Sequence, residues 1–261
     1  MRLYLYLDRD TALHRLHPTV KVCAMFCFFV AAFLSERPEL LLPIAAGVLA
    51  LIRWAGALSN LRRLRVLFVM VFVMTLLIWT LFYRGTGAVW LTLGPIVIRP
   101  VAVAFALGMA IKLATFLAVG LLFLSTTKIE EFAYALTQVG VPYKLGFTLT
   151  LAFRLVPVFI ESASTVVQAQ RCRGFNFDQG NLLERARRYV PVLVPVFMGA
   201  LRRADGMAMA LEARGFQSQL QRSSFEQYRF GARDLVALII AAAVAVGFIA
   251  LWWAGYTRVL G

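Results

Sequence analysis

Two stretches of this sequence end alike. Ala169-Gln170-Arg171-Cys172-Arg173-Gly174-Phe175 and Ala210-Leu211-Glu212-Ala213-Arg214-Gly215-Phe216 lie 41 positions apart, and both close on Arg-Gly-Phe. Arginine in the last turn of a helix is favoured by the negative end of the helix dipole. A glycine just beyond it is free to take the left-handed conformation that caps the helix. The guanidinium also presents a planar fork of five donors, suited to bidentate contact with a partner's carboxylates or carbonyl oxygens. Chemistry alone leaves two readings open: two ordinary helix stops, or two docking tips on long rigid levers.

Other groups able to do chemistry are few. Lys112 stands inside a long apolar run, where an ammonium is costly and marks a functional-site candidate. The favoured reading is plainer: it snorkels, or faces the bundle interior beside a carbonyl, since no intramembrane carboxylate is at hand as partner. His14 and His17, the only histidines, are three apart and could share a metal ion on one helix face. No cysteine or carboxylate constellation accompanies them, and Pro18 marks a loop or helix start. Cys23, Cys27 and Cys172 imply no disulfide framework. Neither a metal nor a cofactor is expected. The chain also lacks a G-x-x-x-x-G-K-[ST] run, the loop that cradles nucleotide phosphates, and is not read as an enzyme.

The elements that must position these groups follow from composition. Of 261 residues, 61% are hydrophobic and 15% charged, and no Asp or Glu occurs between Glu39 and Glu130. A soluble domain carries about 25% charge, so an all-α membrane protein is expected. Apolar runs predict about five transmembrane helices: Val20 to Leu34, Pro38 to Trp54, Val66 to Tyr83, Val101 to Leu124 and Leu235 to Trp253. Residues 84–100, rich in Gly, Pro and aromatics, are expected to form an exterior loop. The polar, charged start with no small-residue cleavage site does not read as a signal peptide. With the N-terminus inside, residues 1–21, 53–65 and 125–233 hold 22 of the 27 Lys and Arg, against four outside, with Lys112 left in a span. That asymmetry predicts a cytoplasmic N-terminus.

Residues 125–232 break the pattern of spans and read as a basic, helical cytoplasmic domain. It lies between an N-terminal region of four helices (1–124) and a C-terminal transmembrane helix (233–261). Its first helix opens where Thr127 and Glu130 fit a capping box. A long helix is expected over Tyr143 to Cys172. Arg154, Pro157 and Glu161 at its middle predict that it lies along the membrane surface or under the bundle rather than crossing. A further helix, with Pro191 and Pro195, ends at Arg214-Gly215.

Taken together, LHRLHPTVK at 13–21, LSTTKIEEFAYAL at 124–136, VP at 141–142, FRLVPVFIE at 153–161 and RRADGMAMALEARGF at 202–216 resemble a known family. The chain is similar, over nearly its whole length, to the transmembrane T component of energy-coupling-factor importers, a branch of ATP-binding-cassette transporters for vitamins and metal ions. In that family, Ala-Arg-Gly triplets end two crossing coupling helices that insert into grooves on paired ATPase subunits. The resemblance assigns ATPase docking to Arg173, Gly174, Ala213, Arg214 and Gly215. It implies support of the coupling helices by Gln170, Arg171, Glu212, Arg154, Pro157 and Glu161. Cys172 departs from the triplet's alanine, a small apolar exchange that keeps the role of Arg173. Implied partners are two ATPase subunits, alike or different, at the cytoplasmic face, and a membrane-embedded S component that captures the micronutrient. The implied location is a bacterial or archaeal plasma membrane, and no nucleic acid is involved. The rival readings are a permease lining its own substrate path, a membrane enzyme, and a basic anchor for anionic lipid or nucleic acid.

Overall fold

The computed structural model describes residues 6–7, 9, 11–83, 91–93, 96–177, 179, 181–216 and 228–257. The first helices run α1 Pro18–Leu34, α2 Pro38–Trp54, the short α3 Leu58–Arg63 and α4 Arg65–Phe82. A small antiparallel hairpin follows, β1 Leu91–Leu93 with β2 Ile96–Ile98, pairing Leu91 with Ile98 and Leu93 with Ile96. Next come α5 Pro100–Thr126, α6 Ile129–Gln138, α7 Tyr143–Cys172, α8 Leu182–Arg188, α9 Val190–Ala213 and α10 Ala232–Trp253. All five expected spans are helices, with edges within three residues of the expectation. The stretch expected to be an exterior loop contains the hairpin. Leu-Thr-Leu and Ile-Val-Ile flanking Gly94-Pro95 were its signal in the sequence.

The chain forms two units, Met1–Val141 with Tyr228–Gly261, and Pro142–Gln227. In the first, α5 packs against α1, α2 and α4, and α1 packs against α10. Prolines open α1, α2 and α5, where the missing N–H costs nothing. With 27 residues, α5 is about 40 Å long at 1.5 Å per residue. Its buried positions include Ala102, Ala106, Ala110 and Ala118, and such small residues let neighbouring backbones approach closely. The core continues through Ala31, Ile44, Val48, Ile52 and Val119. The outward faces remain apolar: Val66, Val69 and Phe82 on α4 and Ile239, Ile240 and Trp253 on α10 are exposed. That is the surface a bilayer covers, and the chain is a multi-pass α-helical membrane protein.

Among the described residues four helices, α4, α5, α7 and α10, are long and apolar enough to cross a membrane, and α1 is a shorter apolar helix of 17 residues. By this measure α7 qualifies, but its mean hydropathy of 1.4 is well below the 2.2 to 2.8 of the others. Arg154 and Glu161 lower it.

In the second unit, α7 packs against α9, and α8 against α9. Gly146, Phe177 and Val192 are its only buried residues among those described. Pro157 leaves α7 continuous but takes one N–H out of its ladder. One turn on, the Glu161 carbonyl accepts bonds from the Ser164 and Thr165 hydroxyls at 2.8 and 2.9 Å. Such back-bonding bends helices.

Candidate functional site

The two Arg-Gly endings are built identically. Arg173 closes α7 at φ −81°, ψ 9°, and Arg214 closes α9 at φ −87°, ψ 8°. The glycines that follow take the left-handed conformation, Gly174 at φ 83° and Gly215 at φ 69°. The Phe175 N–H then donates to the Gln170 carbonyl at 3.0 Å, and the Gly174 N–H to Arg171 at 2.9 Å. In the same pattern, the Phe216 N–H donates to Leu211 at 2.9 Å and the Gly215 N–H to Glu212 at 2.9 Å. This is the Schellman arrangement, which satisfies the last carbonyls and stops each helix sharply. Gln170, Arg171 and Glu212 thus serve the tips through their backbone carbonyls.

Both arginines are exposed, as are Cys172, Ala213 and both glycines. Cysteine in place of alanine therefore disturbs no packing. The stem of Arg214 lines a hollow of about 130 Å³ with Leu151, Met207, Ala210 and Leu211. The phenylalanine after each glycine is an anchor that sequence reasoning left unassigned. Phe216 lies 4.6 Å from the Phe147 ring and 6.4 Å from Tyr143. Phe175 lies 5.0 Å from Phe177, which is itself 5.0 Å from Tyr189 and only 1% exposed. A hydrophobic residue two beyond the cap arginine was the available signal.

The contact of Phe216 with Phe147 places the Arg214 tip beside the first turns of α7. Arg173 closes the far end of that helix. The 25 residues from Phe147 to Cys172 separate the two tips by about 38 Å along the α7 axis. Arg154, Pro157 and Glu161 share one exposed stripe of α7 at spacings of three and four, and the structure brings none of them to Arg173. They belong to the shaft.

Comparison with known proteins follows the same lines. Residues 9–224 match the family CbiQ, described as cobalt transport protein. This chain belongs to that family. It is 31% identical to the energy-coupling factor transporter transmembrane protein EcfT of Thermosediminibacter oceani, over 94% of this chain and 95% of the relative. Proteins of the same name from Bacillus selenitireducens and Limosilactobacillus fermentum are 32% and 30% identical. They cover 90% and 92% of this chain, and 91% and 92% of their own lengths.

In this CbiQ-family chain the remaining polar candidates have structural surroundings. Lys112 is 8% exposed, with its ammonium 5.1 Å from the centre of the Phe33 ring. The charge of Glu36 acts on it from the α1–α2 turn, outside the apolar run. That turn reaches α5 because Gly108 has no side chain: a Cβ there would collide with the Glu36 carbonyl. His14 and His17 do not converge on a ligand. His14 Nδ1 bonds the Thr11 hydroxyl at 2.7 Å, and burial pushes its pKa below the usual value. The His17 ring accepts a bond from the Thr19 N–H and lies among Tyr134, Tyr228 and Phe230.

The capping box expected at Thr127 and Glu130 does not form. The cap residue of α6 is Lys128, without a side-chain bond, and the Thr127 hydroxyl is buried with no partner among the described residues. The structural carboxylate of that turn is Glu131, which pairs with Lys21 at 2.8 Å. Sequence reading counted Lys21 only among the cytoplasmic basic residues. It is 7% exposed.

Proposed function

We propose that this chain is the T component of an energy-coupling-factor importer. Arg173 and Arg214 dock into two ATPase subunits at the cytoplasmic face and transmit their nucleotide-driven movement to a membrane-embedded S component, which captures a vitamin or transition-metal ion. The observation that carries this reading is the pair of matching arginine-capped helix ends, exposed and about 38 Å apart along one helix axis. That geometry suits two equivalent receptors on a dimer better than one small-molecule site. The names of the relatives support the same role.

The docking set is Arg173, Gly174, Ala213, Arg214 and Gly215, with Gln170, Arg171 and Glu212 fixing the caps and Arg154, Pro157 and Glu161 shaping the shaft. The apolar faces of α7 and α9, with Phe153, Val156 and Ile160 on one and Val194, Phe197 and Leu201 on the other, are exposed. They supply a surface for the S component. The N-terminus is cytoplasmic, in keeping with the Lys and Arg bias, and α7 lies against the membrane face rather than through it. ATP hydrolysis belongs to the partners, since the sequence has no phosphate-binding loop. Co-purification from native membranes tests the assignment. Wild-type chain is expected to bring down two ATPase chains and a small membrane protein, and Arg214→Ala to lose the ATPases while still inserting. Full ATPase recovery with the Arg173→Ala, Arg214→Ala double variant refutes the docking role.

A further inference from the structure

The chain passes from the first unit to the second at Val141–Pro142 and returns at Gln227–Tyr228. Both crossings are flanked by elements tied to the same eight residues, His14 to Lys21. On the outgoing side, the Lys21 ammonium donates to Glu131 Oε2 on α6 at 2.8 Å, to the His14 carbonyl at 2.8 Å and to the Thr126 carbonyl at 3.0 Å. All three of its protons are used, and they join α1, the end of α5 and α6. Three residues after α6 begins its cap, at Val139, the chain reaches Pro142 through Gly140 at φ 111°, with the Val141 N–H bonded to the Leu136 carbonyl at 3.0 Å.

On the returning side, both oxygens of Asp234, in the first turn of α10, are engaged. Oδ1 accepts from the His17 N–H at 2.6 Å and Oδ2 from the Gly231 N–H at 2.8 Å, and the side chain is 6% exposed. The His17 ring touches both sides, 6.0 Å from Tyr134 on α6 and 6.1 Å from Tyr228 on the return, and those two tyrosines lie 4.9 Å apart.

Burying an ammonium and carboxylates is a poor way to gain stability, because desolvation offsets most of the attraction and apolar pairs of the same volume do as well. What such a knot supplies is a fixed geometry. We propose that residues 14–21 form a clasp on both crossings, with Lys21, Glu131 and Asp234 as positioning residues. It delivers displacement of the levers into α1, α5 and α10 instead of letting it dissipate around Gly140 and Tyr228. This deepens the coupling role and rests on that reading.

The test uses the full chain with its co-purified ATPase subunits in lipid nanodiscs. Spin labels at F82C and A254C, with Cys23, Cys27 and Cys172 replaced by Ala, report the distance between two ends of the first unit with and without ATP. Wild type is expected to show a nucleotide-dependent distance change. Lys21→Met is expected to reduce that change at least threefold while ATPase association and hydrolysis stay within twofold of wild type. Should Lys21→Met fail to insert, the paired K21M/E131M variant, apolar on both sides, is scored in the same way. Hydrogen exchange on unsubstituted complex adds a reading independent of any variant: the amides of His17 and Gly231 stay equally protected in both nucleotide states. A Lys21→Met response within twofold of wild type, an unresponsive wild type, or nucleotide-dependent opening at His17 overturns the clasp. The Arg173→Ala, Arg214→Ala double variant separates the two ideas. If it abolishes ATPase association while Lys21→Met remains coupled, only the clasp is wrong; if it leaves association intact, the coupling role itself fails.

Discussion

Replacing Arg214 with alanine removes a guanidinium but leaves its helix end standing. Every bond of the cap runs between backbone groups, from the N–H of Arg214, Gly215 and Phe216 to the carbonyls of Ala210, Glu212 and Leu211. The left-handed Gly215 and the Phe216 anchor on Phe147 are untouched. The loss on binding is therefore that of the arginine's own contacts. Hydrogen bonds involving a charged group contribute about 1.5–3 kcal/mol each. At about 1.4 kcal/mol per tenfold, one such bond lost weakens capture of the ATPases about 10- to 100-fold. Arg173 sits about 38 Å away along α7, too far to share a partner group, so the two losses should add in free energy. The double variant is then expected to bind about 10²- to 10⁴-fold more weakly. Titration of the ATPase dimer against nanodisc-embedded chain measures this, with thermal unfolding of each variant as the control for folding. Double-variant affinity within threefold of wild type, with folding unchanged, refutes the reasoning.

The glycines are open to a similar test. Gly215→Val forces a branched side chain into a left-handed backbone at about 1–2 kcal/mol, and the expected result is weaker ATPase capture although Arg214 is still present. Phe216→Ala removes the ring contacts with Phe147 and Tyr143, worth about 0.5–1.5 kcal/mol for an aromatic pair. Faster hydrogen exchange over residues 207–216 reports it. His14 is held below the ordinary imidazole pKa of about 6.5, chiefly by burial. The unfolded chain therefore takes up its proton first as pH falls, and stability is lost below about pH 6.5 until the folded-state pKa is reached. His14→Gln is expected to flatten that part of the unfolding-temperature profile.

Much of this architecture was legible in the sequence because membrane helices and their stops obey local rules. The apolar runs gave α1, α2, α4, α5 and α10 nearly to the residue, and Arg-Gly-Phe gave both caps with the backbone conformation they need. What escaped was the long-range partnering of buried charge. Lys21 pairs with Glu131 across 110 positions and the His17 backbone N–H donates to Asp234 across 217, and no local pattern announces either. Thr127 misled by one position. Its spacing to Glu130 fits a capping box, but α6 is capped at Lys128, which makes Glu131 the third helical residue, and Glu131 pairs with Lys21.

The two units divide their burial unequally, and that difference bears on how a transmitting protein must be built. The first unit gives buried Lys21 and Asp234 hydrogen-bonded partners and packs its helices through small buried residues. The second buries only Gly146, Phe177 and Val192 among its described residues and leaves Phe153, Ile160, Phe197 and Leu201 uncovered. Apolar surface of that kind marks interaction sites. A second unit held in one shape by its own core would give its partners little to reshape. One whose helices are individually stiff, sharply capped and weakly joined takes its arrangement from what binds it. Continuous over about 38 Å, α7 then joins a change at one tip to the other end of the shaft. On the proposed reading, a closely packed first unit and partner-dependent helices in the second are the two properties that would convert the ATPases' conformational change into work inside a membrane.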